Sequence, residues 1–205
     1  MNKQVTAIVQ QAKNKKRANL YLDGEFACGI DSFTLLENRI KVGDVVSTER
    51  LNEILGESEV RSAMDVLLKF ISKSLKTKHQ AKDKILSYGY TEEVCNRAIK
   101  KVEEYGYLDD VDYANRYIST YFKQKGKLLL KCELQKKGVP IEVIESALSN
   151  IDSQTNEIKA ILEKYLRGKE LDAKTLQKAY RHLLSKGFSY DEINEVMANL
   201  KNEEY

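Results

Sequence analysis

The sequence predicts a mainly α-helical protein: an elongated solenoid of three tandem three-helix repeats behind a small N-terminal β-hairpin region. Three observations carry this prediction. Gly89, Gly138 and Gly187 recur 49 residues apart, each flanked by matching apolar positions. After each glycine the apolar residues step by 3, 1 and 3, which marks one face of an α-helix. Before residue 47 apolar and polar residues alternate instead, as they do along a half-buried strand.

Residues 1–46 read as the β region. Val5, Ala7 and Val9 form one alternating set, and Ala18, Leu20 and Leu22 form a second after the basic turn Lys13–Arg17. Asp23-Gly24 supplies a tight hairpin turn, because glycine tolerates a positive φ. Phe26 to Ile30 returns as a third strand, Asp31-Ser32 caps a short helix through Glu37, and Val42-Gly43-Asp44 is a further turn. Such a sheet is marginal alone, so it is expected to pack on the helical part of the chain. The basic turn could touch phosphate, although a solvated hairpin tip is the simpler reading. A linking helix is expected over 47–62.

The repeats are expected at 63–110, 111–152 and 153–205. Their first helices are placed at 63–75, 113–122 and 158–166. Ala81, Leu130 and Ala179 then correspond, as do Ile85, Leu134 and Leu183, one turn further along a second helix. Cys95, Ile144 and Ile193 begin the buried face of a third. The glycine between second and third helices suits a left-handed cap that alanine resists. Thr91, Pro140 and Ser189 open the third helices, and Ser189 with Glu192 has capping-box spacing. A single three-helix unit buries little alone, so stacking is the expected source of stability.

Charge follows the same period. The chain has 34 basic and 31 acidic side chains, a net charge of only +3. The lysines gather around the second helices: Lys73, Lys76, Lys78 and Lys82, then Lys123, Lys125, Lys127 and Lys131, then Lys174, Lys178 and Arg181. The third helices are acidic, from Glu92 and Glu93 through Glu142 and Glu145 to Glu195, Glu203 and Glu204. One such cluster would be ordinary solvation. Three in phase with a structural repeat predict an electrostatic binding surface. Lysine predominates over arginine, which disfavours base-specific DNA reading. The tyrosines at 88, 90, 105, 107, 113, 117 and 121 read as packing residues first and base-stacking residues second.

Several classes are disfavoured. No stretch is apolar enough to span a bilayer, and the N-terminus lacks signal-peptide features. Cys28, Cys95 and Cys132 are odd in number and scattered, which reads as reduced cytoplasmic thiols. No nucleotide loop, nucleophile elbow or zinc motif is present, so no catalytic residue, metal or cofactor is expected.

Particular motifs resemble the RecX family. Tyr105-Gly106-Tyr107-Leu108-Asp109-Asp110 with Asp112-Tyr113-Ala114 is similar to the joint between its first two units. Lys76-Thr77 with Lys82 resembles its first basic helix, and Lys125-Gly126 with Lys131, Glu133-Leu134 and Lys137-Gly138 its second-unit motif. Tyr21 to Ala27 resembles the N-terminal hairpin of some members. The chain departs from the pattern at Ser74 and Lys76, where arginines are usual, at Gln80 and at Lys127. The resemblance implies a noncatalytic, monomeric regulator. Its partner would be the RecA recombinase filament, whose ATPase and strand exchange it would restrain through the basic residues named above. The alternative is a direct, sequence-independent binder of single- or double-stranded DNA.

Overall fold

Apolar alternation near the N-terminus and apolar helical faces after it build the two kinds of structure expected. The computed structural model describes residues 1–202; Glu203 and Glu204 of the last acidic run lie outside the described residues. The elements are β1 (Asn2–Gln10), β2 (Arg17–Leu22), β3 (Glu25–Asp31), α1 (Ser32–Glu37), β4 (Val45–Ser47) and α2 (Thr48–Ile71). They continue as α3 (Lys78–Leu86), α4 (Glu92–Glu104), α5 (Asp110–Tyr121), α6 (Lys127–Lys136) and α7 (Ile141–Ser149). The last three are α8 (Thr155–Leu166), α9 (Ala173–Ser185) and α10 (Tyr190–Asn202). Among the described residues no helix is long and apolar enough to cross a membrane. The chain forms two units: residues 1–75 with 81–108, and residues 76–80 with 109 onward.

In the first unit, an antiparallel sheet in the order β3-β2-β1-β4 sits on α2. Asp23 and Gly24 both take positive φ, 51° and 87°, as a two-residue hairpin turn requires. Asp31 caps α1 by accepting from the Phe33 and Thr34 amides. The fourth strand, Val45–Ser47, is an addition to the three read from sequence. The basic turn docks at its end: Arg17 donates to Ser62 Oγ and to the Gly29 carbonyl, and Lys16 pairs with Asp65. The boundary expected at 62/63 falls inside one helix. Ile54, with Leu51 and Leu55 beside it, closes the sheet core, while Val60, Ala63 and Leu67 further along α2 enter the core of the first helical repeat. That second core is completed by Ala81 and Ile85 of α3 and by Val94, Cys95, Ala98 and Val102 of α4.

The second unit holds the other two repeats, each with its own core. Ala114, Ile118, Leu130, Leu134 and Ile144 fill one, and Ile158, Leu162, Ala179, Leu183, Phe188 and Ile193 the other. Two joints of one design recur within this unit. At the start of α3 the Lys78 amide donates to Asp110 Oδ1 at 3.0 Å, and Thr77 Oγ1 donates to the Lys137 carbonyl at 2.6 Å. At the start of α6 the Lys127 amide donates to Gln154 Oε1 at 3.1 Å, and the Gly126 amide donates to the Lys186 carbonyl at 2.9 Å. Asp110 and Gln154 are only 5% and 1% exposed, and each satisfies an N-terminal amide that has no partner inside its helix.

Gly89, Gly138 and Gly187 have φ of 84°, 78° and 82°, the left-handed cap expected. Two of them meet a second constraint that spacing alone does not disclose. A Cβ at Gly138 would stand 2.2 Å from His79 Cβ, and one at Gly187 would stand 2.3 Å from the Leu129 amide nitrogen. At Gly89 the space is open.

Candidate functional site

The basic residues follow from the helices that carry them, and their surroundings sort them into three kinds. Some are neutralised within their own repeat. Lys82 of α3 pairs with Glu92 of α4 at 2.6 Å, and Lys131 of α6 pairs with Glu145 of α7 at 2.8 Å. The hydrogen bond to Glu92, with that carboxylate's charge, holds the Lys82 ammonium above its ordinary pKa. Basic second helices and acidic third helices therefore compensate one another locally, which accounts for part of the charge alternation.

Others support the fold. Lys125 Nζ lies 2.7 and 2.8 Å from the two Glu133 oxygens, and the Tyr117 hydroxyl donates to the same carboxylate at 2.9 Å. Burial would raise the Glu133 pKa, but the hydrogen bonds from Lys125 and Tyr117 outweigh it and hold the carboxyl below its ordinary value. Burial and that same hydrogen bond push the Tyr117 phenol well up. Tyr113, Tyr117 and Tyr121 pack in series along α5, with Lys125 Nζ 4.4 Å from the Tyr121 ring centre. Lys127 Nζ donates to the Ile151 carbonyl just beyond α7. Lys76 and Lys78 are part-exposed at the start of α3, where the Lys78 backbone serves the joint with Asp110.

The third kind faces solvent. Lys73 is exposed just after α2, and Lys123 is exposed just after α5. Lys174, Lys178 and Arg181 are exposed along α9, at spacings of four and three that put them on one side of the helix. Pairing thus removes part of the expected surface: among the described residues Lys123 in the second repeat and all three named cations in the third form no ion pair. The tyrosines divide too. Tyr88, Tyr105 and Tyr107 are 59, 65 and 60% exposed and do no core packing, contrary to the packing role expected of them.

Sequence reasoning missed the joint residue Gln154; it named Thr77 and Asp110 as motif residues but not the hydrogen bonds that they make with Lys137 and Lys78. Gln154 binds backbone groups of Phe122, Lys125 and Lys127 from far along the chain, so no local pattern marks it. A weak signal existed in the first residues of α3 and α6, which lack a side-chain cap of their own sufficient for all the amides there.

Comparison with known proteins respects the same divisions. Family models match at residues 3–47 (regulatory protein RecX, N-terminal domain), 109–148 (RecX, second three-helix domain) and 152–197 (RecX, third three-helix domain). The chain is 35% identical to the "Regulatory protein RecX" of Clostridium botulinum strain Alaska E43, covering 98% of both chains. It is 32% identical to that of Bacillus subtilis strain 168, covering 97% of this chain and 78% of the other. Among solved structures, a crystal structure of regulatory protein RecX aligns with a TM-score of 0.77 at 24% identity over 96% of this chain and 99% of that one. RecX from Lactobacillus salivarius aligns with a TM-score of 0.66 at 27% identity, over 70% of this chain and 97% of that one.

Proposed function

The chain belongs to the RecX family of regulatory proteins, and from that premise we propose that it is a noncatalytic, cytoplasmic regulator of homologous recombination and DNA repair. It acts as a monomer, binding the RecA nucleoprotein filament and restraining its ATPase and strand exchange. The observation that carries this reading is a set of exposed cations that form no ion pair among the described residues, Lys174, Lys178 and Arg181 on α9 with Lys123 in the preceding repeat. A partner that repeats along its own axis offers the same acidic or phosphate group at regular intervals. Tandem repeats then engage it at high effective concentration, although each contact is modest. Binding across neighbouring protomers favours whichever filament state fits, and shifts the filament toward it.

The test is a recombinase ATPase assay on single-stranded DNA with and without the protein. Inhibition below one protein per recombinase supports the reading, and an unchanged rate refutes it. Direct, sequence-independent DNA binding is the second reading, favoured by exposed cations that form no ion pair among the described residues. It predicts affinity for bare DNA that falls steeply with salt.

A further inference from the structure

The second and third repeats share a constellation that differs in one charge. In the second repeat Lys125 lies over Tyr121, and Glu133 neutralises it. In the third, Lys169 Nζ lies 3.5 Å from the Tyr165 ring centre. The residue 49 positions after Glu133 is His182, just as Lys186 corresponds to Lys137. His182 stacks on Tyr165 with ring centres 4.9 Å apart. Burial, then the Lys186 and Lys169 charges, hold its pKa below the ordinary value, so the ring is neutral at pH 7. The place that holds a carboxylate in one repeat therefore holds no charge in the next.

The surroundings are more cationic as well. Lys164 and Arg167 join Lys169 and Lys186 around a concavity of about 660 Å³ that His182 and Tyr165 also line. Among the described residues none of these four cations forms an ion pair with a carboxylate. Four positive charges around one hollow repel one another, and the fold supplies no counter-ion of the kind Glu133 supplies next door.

We propose that this hollow binds the phosphodiester backbone of a nucleic-acid strand. The inference deepens the proposed function by giving its basic surface a definite subsite, within the third of the basic stretches that the sequence carries. A nucleic-acid strand brings one negative charge per nucleotide and no cations, so it compensates all four groups together. The Arg167 guanidinium suits bidentate contact with phosphate oxygens, and the Tyr165–His182 pair forms an aromatic wall beside the cations. Cationic groove and aromatic wall together are how sequence-tolerant sites hold a single strand.

The test is fluorescence anisotropy with a labelled oligothymidylate over a salt series, without recombinase present. His182→Glu restores the carboxylate of the second repeat, beside Lys169 and Lys186, so the variant is expected to melt no lower than the wild type. Its affinity should fall about tenfold, and its salt slope should shrink by about one phosphate contact. Lys169→Ala with Lys186→Ala should lose affinity in the same sense, which keeps the test open if either variant folds poorly. Unchanged affinity and slope in folded samples of both would overturn the proposal. So would variants that hold the oligonucleotide as the wild type does but lose binding to polyglutamate, since the site would then fit an acidic protein. Because recombinase is absent, the result is independent of the ATPase assay, and either idea can fail alone.

Discussion

Alanine placed at each of the three repeat glycines should separate two kinds of constraint. All three have φ near 80°, so each substitution carries the left-handed penalty, about 1–2 kcal/mol. At Gly89 that is the whole effect, because an added Cβ meets nothing within 4 Å. At Gly187 the same atom would stand 2.3 Å from the Leu129 amide nitrogen and 2.4 Å from Leu129 Cβ. Backbone cannot swing aside as a side-chain tip can, so the α9–α10 turn must back away from α6. Overpacking of this sort costs about 1–3 kcal/mol. The retreat also stretches the hydrogen bond from the Gly126 amide to the Lys186 carbonyl, about 1 kcal/mol more. Gly187→Ala is therefore expected to lose about 3–6 kcal/mol in a urea titration, against about 1–2 for Gly89→Ala. Gly138→Ala should fall with Gly187→Ala, since its Cβ would meet His79 Cβ and Cγ at 2.2 and 2.3 Å. Equal losses at all three positions would refute the argument from close approach and leave only backbone conformation.

Charge reversal of Lys174, Lys178 and Arg181 together should weaken filament inhibition several-fold with little change in melting temperature; unchanged inhibition would remove α9 from the interface. Lys125→Glu should instead lower stability by about 2 kcal/mol, because a second carboxylate would face Glu133 in a part-buried site; a chemical-denaturation midpoint equal to wild type would contradict this. Glu133 titrates lower folded than unfolded, so its ion pair stabilises fully above the ordinary carboxyl value of 4.5 and fades as pH falls through the folded value. The melting-temperature gap between wild type and Glu133→Gln should accordingly close in acid, and a gap constant across the pH series would be the contrary result. Gln154→Ala should cost about 3 kcal/mol by leaving the Lys127 amide and the Phe122 and Lys125 carbonyls without their partner, as denaturant titration would read directly.

The helical repeats were legible because their cores repeat in sequence. Ala81, Leu130 and Ala179, and Ile85, Leu134 and Leu183, are all buried as their spacing predicts. Caps were legible for the same reason: Thr91 accepts from Val94, and Ser189 and Glu192 make the reciprocal pair expected of a capping box. Strand β4 was not legible, because three residues are too few to show alternation. Nor was the continuity of α2: the repeat frame suggested a new helix near residue 63, while the apolar spacing from Leu51 to Leu67 runs on without a stop signal. The candidate surface was read least well. Counting lysines finds cations but not their counter-ions, and Glu92, Glu133 and Glu145 cancel three of them through contacts that composition does not reveal. The exchange of Glu133 for His182 is visible in the alignment of repeats, but its meaning depends on which lysines stand beside it.

The shared helix α2 makes the sheet and the first helical repeat mechanically inseparable. A chain cut before residue 48 would carry Leu51, Ile54 and Leu55 stripped of their cover, a greasy stub inviting aggregation. Amide protons in the strands and in the first repeat should consequently exchange through a common opening, so that loosening either end of α2 loosens both.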